Sequence, residues 1–221
     1  MTGPPMTTAL DGYNSRLREM AEYNTAVLPY IAERRAGLRV LVEASIVLSV
    51  AYLDDFLKAL VGTAAPHREK ALRRYLTKNG SDEAKRQART CDLLTLVKIA
   101  KSRLSFQKGG ASIDGIFRAE FGFSPWPSEE VRDVILDLSL VRNMIIHAGS
   151  AEVGVGDVGQ YARQIRSADV FTVSRYDELV IHRVDPFKAL KFHHAALTVL
   201  VTQVDYLRKQ LVESNEWLKA P

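Results

Sequence analysis

The chain has 221 residues, 47% of them hydrophobic and 25% charged, with 30 Lys+Arg against 26 Asp+Glu and a formal net charge of +4. Such a chain can bury a substantial core and is neither disordered nor fibrous, and so mild a charge identifies no polyanion partner by itself. A single cysteine, Cys91, excludes an internal disulfide and a cysteine-built zinc site; with no cleavable apolar leader, it predicts a reducing, cytoplasmic setting.

In chain order, Leu10, Tyr13, Leu17, Met20, Asn24, Val27 and Ile31 recur at helical spacing and predict an amphipathic helix bent or interrupted near Pro29. A second helix, Ala36 to Val61, is apolar over most of its circumference, as expected at the centre of a bundle. Its most apolar part, Val40 to Leu53, is broken by Glu43, Ser45 and Ser49 and closed by Asp54-Asp55. It is too short and polar to span a bilayer, so no membrane association is expected. Gly62 and Pro66 punctuate, and a short basic helix is predicted from Pro66 to Lys78, stopped by Asn79-Gly80. One longer helix is predicted from Asp82 to about Gln107, and a short one around Ile113, Ile116, Phe117 and Phe121. The loop Ser124-Pro125-Trp126-Pro127 leads into a helix from Ser128, its N-cap, to His147. Glu152 to Gly159 reads as a surface loop. Val170–Ser174 and Leu179–Val184 are β-prone runs around Tyr176-Asp177, which predict a small hairpin. Asp185-Pro186 opens a long terminal helix carrying Phe187, Leu190, His194, Leu197, Val201, Val204 and Leu211. The expectation is one all-α domain over residues 1–221: a helical core at about 36–150, the hairpin at about 170–184 and the last helix at about 186–215.

Charge is unevenly spread. Pro66 to Lys108 holds 12 Lys/Arg against 4 Asp/Glu, a local excess of +8 on a body that sums to −4. Arg68, Lys70, Arg73, Arg74, Lys85, Arg86 and Arg89 are therefore candidate phosphate contacts, against the commoner alternative of a solvated helix face.

The helix ending at His147 has two faces. With Leu138 at zero and about 100° per residue, Val131, Val134, Ile135, Val141 and Ile145 fall on one core stripe, and Arg142 falls inside it. A buried guanidinium needs a partner or a route to solvent. Asp54, beside apolar residues on the second helix, is one candidate partner; the alternative is that each reaches water at a helix end. On the opposite side Leu136, Leu140, Asn143 and His147 cluster, either as a contact surface with polar chemistry at one end or as a second core contact.

The string Leu140-Val141-Arg142-Asn143-Met144-Ile145-Ile146-His147-Ala148-Gly149 resembles the signature of the HEPN superfamily: arginine, a polar residue that is often asparagine, a short spacer and histidine. Tyr52-Leu53-Asp54-Asp55-Phe56-Leu57 resembles the acidic-then-aromatic pattern found on an earlier helix of that family. The resemblance covers roughly Leu38 to Ser150. It implies a helical bundle that forms a homodimer and, in many members, a metal-independent endoribonuclease acting in defence, as a toxin or abortive-infection effector. It makes Arg142 and His147 catalytic, Asn143 supporting and Asp54 an orienting acid, with RNA as substrate and an antitoxin or other regulatory protein as a further partner. Where members paired with a nucleotidyltransferase often carry a tyrosine two residues after the histidine, this chain has Gly149, which does not support an antitoxin of that kind. The same residues would also suit a HEPN-fold module that binds RNA, a nucleotide or a protein without cleaving, or a helical assembly protein. The chemistry agrees with the first reading: histidine serves as acid or base near neutrality, and arginine holds a developing phosphorane charge. No nucleotide-binding loop, zinc-binding histidine pair or serine elbow occurs, so no cofactor and no metal are expected.

Overall fold

The computed structural model describes residues 5–32, 37–106, 110–148, 170–176 and 179–214. Among these the chain forms α1 (Pro5–Ala32), α2 (Leu38–Asn79), α3 (Asp82–Thr90), α4 (Leu93–Ser102), α5 (Ala111–Phe121), α6 (Glu129–Ala148), two strands, β1 (Phe171–Tyr176) and β2 (Leu179–Val184), and α7 (Pro186–Ser214). The described chain is thus predominantly helical. β1 and β2 pair antiparallel, from Phe171 opposite Val184 to Tyr176 opposite Leu179. The loop expected at Glu152 to Gly159 and the turn at Asp177 lie outside the described residues.

Two helix boundaries differ from the sequence expectation. Pro66 does not end a helix. α2 runs on to Asn79 with a kink at Arg68 (φ −126°, ψ 19°). Proline removes one ladder hydrogen bond and crowds the preceding turn. Buried Leu60, Val61, Ala64 and Ala65 before it, and Leu72 and Leu76 after it, hold both halves to the interior. Conversely, the single helix predicted from Asp82 is two. Cys91 and Asp92 are extended, and the Asp92 carboxylate accepts from the Thr95 amide at 2.7 Å, starting α4 afresh. At α7 the expected start is observed: Asp185 Oδ1 accepts from the amides of Phe187 (3.0 Å) and Lys188 (2.9 Å).

The chain divides into two compact units. The first comprises residues up to Tyr13, Leu53–Ser128 and Gln203 onward. Its interior includes Leu10, Phe56, Leu57, Leu60, Leu72, Leu76, Leu96, Ile113, Ile116, Phe117 and Leu207. The Tyr13 and Phe56 rings stack at 4.4 Å. The loop before α6 is tied to α7, where Gln203 Nε2 donates to the Pro125 carbonyl (3.2 Å) and Tyr206 Oη to that of Ser124 (3.1 Å). The second unit comprises Asn14–Tyr52 and Glu129–Thr202. Leu17, Val42, Ile46, Ile135, Leu138, Val141, Leu190, Leu197 and Leu200 are buried there.

Candidate functional site

α6 opens with Glu129 and Glu130 in its first turn, where carboxylates favour the positive end of the helix dipole. Ile135, Leu138, Val141 and Met144 bury one side of it, flanked by buried Asp137 and Ser139. Val131, Val134 and Ile145, expected on the core stripe, are only half-buried, and Met144 takes the buried place in the last turn. Leu136, Leu140 and Asn143 on the opposite side are half-buried, and Ile146 near the end is 40% exposed.

Arg142 is half-buried. Its Nη1 donates to Asn143 Oδ1 at 2.9 Å, while its Nε is buried with no hydrogen-bond partner among the described residues. The Asp54 carboxylate, one candidate partner for Arg142, is bonded to Lys58 one turn further along α2. Each residue thus finds its partner on its own helix, because a side chain one residue or one turn away is reached at little entropic cost. The outcome for Arg142 is a guanidinium oriented by a neutral amide, with no carboxylate to neutralise it among the described residues. His147 lies in the last turn of α6, four residues after Asn143 and so on the same side of the helix. Its side chain and Gly149 lie outside the described residues.

The seven basic candidates do not form one group. Arg73 turns inward, its Nη1 donating to the Ala88 carbonyl (2.6 Å) and its Nη2 to the Cys91 carbonyl (3.1 Å) and to Glu69 Oε1 (2.5 Å). It closes the C-terminal end of α3, where unpaired carbonyls and the negative end of the dipole attract a cation. Lys85 pairs with Asp82 at 3.7 Å and Arg86 with Glu83 at 2.6 Å. Arg68 sits at the kink with its Nε buried and unpartnered among the described residues. Lys70, Arg74 and Arg89 are exposed, as is Lys78, which sequence reasoning passed over although it continues the spacing of Lys70 and Arg74.

Two further buried groups, His193 and Glu120, have strongly shifted pKa values. In the second unit His193, fully buried, lies 2.9 Å through Nδ1 from Asn24 Nδ2 and 2.5 Å through Nε2 from Ser49 Oγ. Asn24 offers an N–H, so Nδ1 accepts and Nε2 carries the proton to Ser49, whose hydroxyl donates to the Ser45 carbonyl at 2.9 Å. Burial, and then the neighbouring His194, press the His193 pKa down to about 4. In the first unit Glu120 is fully buried with neither carboxylate oxygen hydrogen-bonded among the described residues, and burial pushes its pKa up to about 9. Its place three and four residues after Phe117 and Ile116 marked it as facing inward.

Among the described residues no three His, Cys, Asp or Glu side chains come close enough to hold a metal ion, and no helix is long and apolar enough to cross a membrane. No family model, no curated protein and no solved structure matches this chain.

Proposed function

We propose that this protein is a metal-independent endoribonuclease of the HEPN type, a defence or toxin effector, with Arg142, Asn143 and His147 as its working residues. The observation that carries the proposal is the state of Arg142: aimed by the Asn143 amide and not neutralised by a carboxylate among the described residues. Holding an uncompensated guanidinium partly out of water is costly, and a phosphate supplies what it lacks, since paired donors match phosphate oxygens. In the reaction the substrate's 2′-hydroxyl attacks the adjacent phosphorus and the 5′-oxygen leaves, giving a 2′,3′-cyclic phosphate and a free 5′-hydroxyl. A histidine takes the 2′-hydroxyl proton, another proton is delivered to the leaving oxygen, and Arg142 stabilises the charge between. One motif histidine per chain serves acid and base poorly. A homodimer built on the Leu136, Leu140, Asn143 and His147 side of α6 brings two, and Asn143 rather than Asp54 positions the arginine. On this reading the fold is a HEPN-like bundle with the β1–β2 pair inserted before α7, and an antitoxin or other regulatory protein restrains it.

The test is incubation of the purified protein with end-labelled RNA in EDTA, beside His147→Ala and Leu140→Asp. The expected result is cleavage leaving cyclic-phosphate ends, lost in His147→Ala, and a helical, inactive monomer for Leu140→Asp by sedimentation. Wild-type protein that leaves RNA intact, or His147→Ala that cuts as well as wild type, overturns the reading.

A further inference from the structure

Of the seven cations between Glu69 and Arg89, three are committed, and Arg89 stands exposed on α3. Arg73 caps α3, Lys85 is paired with Asp82 and Arg86 with Glu83. Lys70, Arg74 and Lys78 are different. All three are exposed on α2, and none has an acidic partner among the described residues. They stand at i, i+4 and i+8, one face of the helix, with a rise of about 6 Å from each to the next. Both steps join like charges, an arrangement that destabilises a helix and that no other contact here offsets. Between them on that face lie only Ala71 and Thr77. We propose that Lys70, Arg74 and Lys78 are a rail for the sugar–phosphate backbone of a single-stranded nucleic acid. The inference rests on the endoribonuclease reading for the identity of the strand and goes beyond it in naming where the strand docks.

The chemistry of the face selects this ligand over others. A protein partner needs a large apolar or aromatic anchor at the centre of its contact, and this face has none. A membrane surface would take an amphipathic helix by its apolar side, but Leu72 and Leu76 on that side of α2 are buried within the first unit. A duplex fits poorly as well, because the major groove of A-form RNA is too narrow to admit a helix. A flexible single strand can lie along a straight row of charges. A stacked strand advances about 3.4 Å per phosphate, so rungs about 6 Å apart meet alternate phosphates.

The probe is a fluorescent oligothymidylate of twenty residues, which lacks the 2′-hydroxyl and so reports docking without cleavage. Binding is followed by anisotropy from 50 to 200 mM salt for wild type, Lys70→Gln/Arg74→Gln/Lys78→Gln, and the control Lys85→Gln/Arg86→Gln. The triple variant is expected to lose tenfold or more in affinity at low salt and to flatten the log K against log salt slope by about 2, three contacts at about 0.7 each. The control is expected to keep the wild-type slope. Because the triple variant removes like-charge steps, its melting temperature should equal or exceed that of wild type. If it falls instead, the comparison moves to Lys70→Arg/Lys78→Arg, which keeps the charge and must keep the binding. An unchanged slope in the triple variant, an equal loss in the control, or tighter binding to poly-glutamate or phosphatidylserine vesicles overturns the rail. If oligothymidylate binds through these residues while RNA is never cut, the rail stands and the endoribonuclease reading falls. If RNA is cut normally by the triple variant with unaltered binding, the rail alone falls.

Discussion

Arg142 donates to Asn143 Oδ1 at 2.9 Å, and an amide in that place orients the guanidinium without cancelling its charge. The distinction is testable with a nearly isosteric change. Asn143→Asp keeps an acceptor oxygen within reach but adds a negative charge, which on the proposed endoribonuclease reading competes with a substrate phosphate. It should lower kcat/KM for end-labelled RNA by at least tenfold while helix content is unchanged. Activity equal to wild type in Asn143→Asp would contradict the role given to the uncompensated charge. That Arg142, Asn143 and His147 share one helix was legible in the sequence because helical periodicity is local. Helical-wheel geometry offered Asp54 as one partner for Arg142, whereas the bond seen within its own unit goes to the adjacent Asn143 amide, which is reached at little entropic cost.

At the scale of elements, the segment from α2 to α4 shows how one basic residue can be structural among others that are not. Arg73 bonds the carbonyls of Ala88 and Cys91, and so fastens the end of α3 and the α3–α4 break to α2. Replacing Arg73 by alanine leaves these half-buried carbonyls unpaired and should cost about 2 kcal/mol in urea denaturation. The same variant should leave the salt slope for oligothymidylate unaltered, since its charge already serves the fold. A changed slope with unchanged stability would reverse that assignment. The α3–α4 break itself was written in the sequence as Asp92 three residues before Thr95, an N-cap spacing inside a periodic run. Periodicity alone passes over such a break, because two helices in succession can keep the same face buried. Pro66 shows the opposite. A residue that usually ends helices gives a kink when buried residues on both sides hold the chain in place.

For the molecule as a whole, two buried ionisable groups set how stability depends on pH. His193 has a folded pKa near 4, below its ordinary 6.5, so the unfolded chain binds one more proton between those values. Its contribution rises from about pH 4 to 6.5 and is lost as the pH falls. Glu120 has a folded pKa near 9, above its ordinary 4.5, so there the folded chain binds the extra proton. Its contribution is full below pH 4.5 and is lost as the pH climbs towards 9. Between about 4.5 and 6.5 the two slopes oppose, and stability is expected to be greatest there and to decline above it. In Glu120→Gln the alkaline decline should be absent, so that the variant is more stable than wild type by a few kcal/mol at pH 9 and not at pH 4. Urea midpoints measured across this range decide it. A parallel decline in wild type and Glu120→Gln would show that the buried carboxyl does not titrate as its surroundings require.

Neighbours along the chain settled the helical class, the start of α7 at Asp185-Pro186, and the Arg142, Asn143 and His147 string on one helix, whereas Val40, Leu41 and Leu48, expected inside a central helix, are exposed. Tertiary structure decided which polar groups have partners. It set Asn24 and Ser49 around His193, left Glu120 without a hydrogen bond among the described residues, turned Arg73 inward and left Lys70, Arg74 and Lys78 outside. The physical reason is range. Backbone propensity and periodicity are read within a turn or two of helix. Desolvation and hydrogen-bond pairing depend on which distant segments meet, as Asn24 and His193 do across 169 positions of chain.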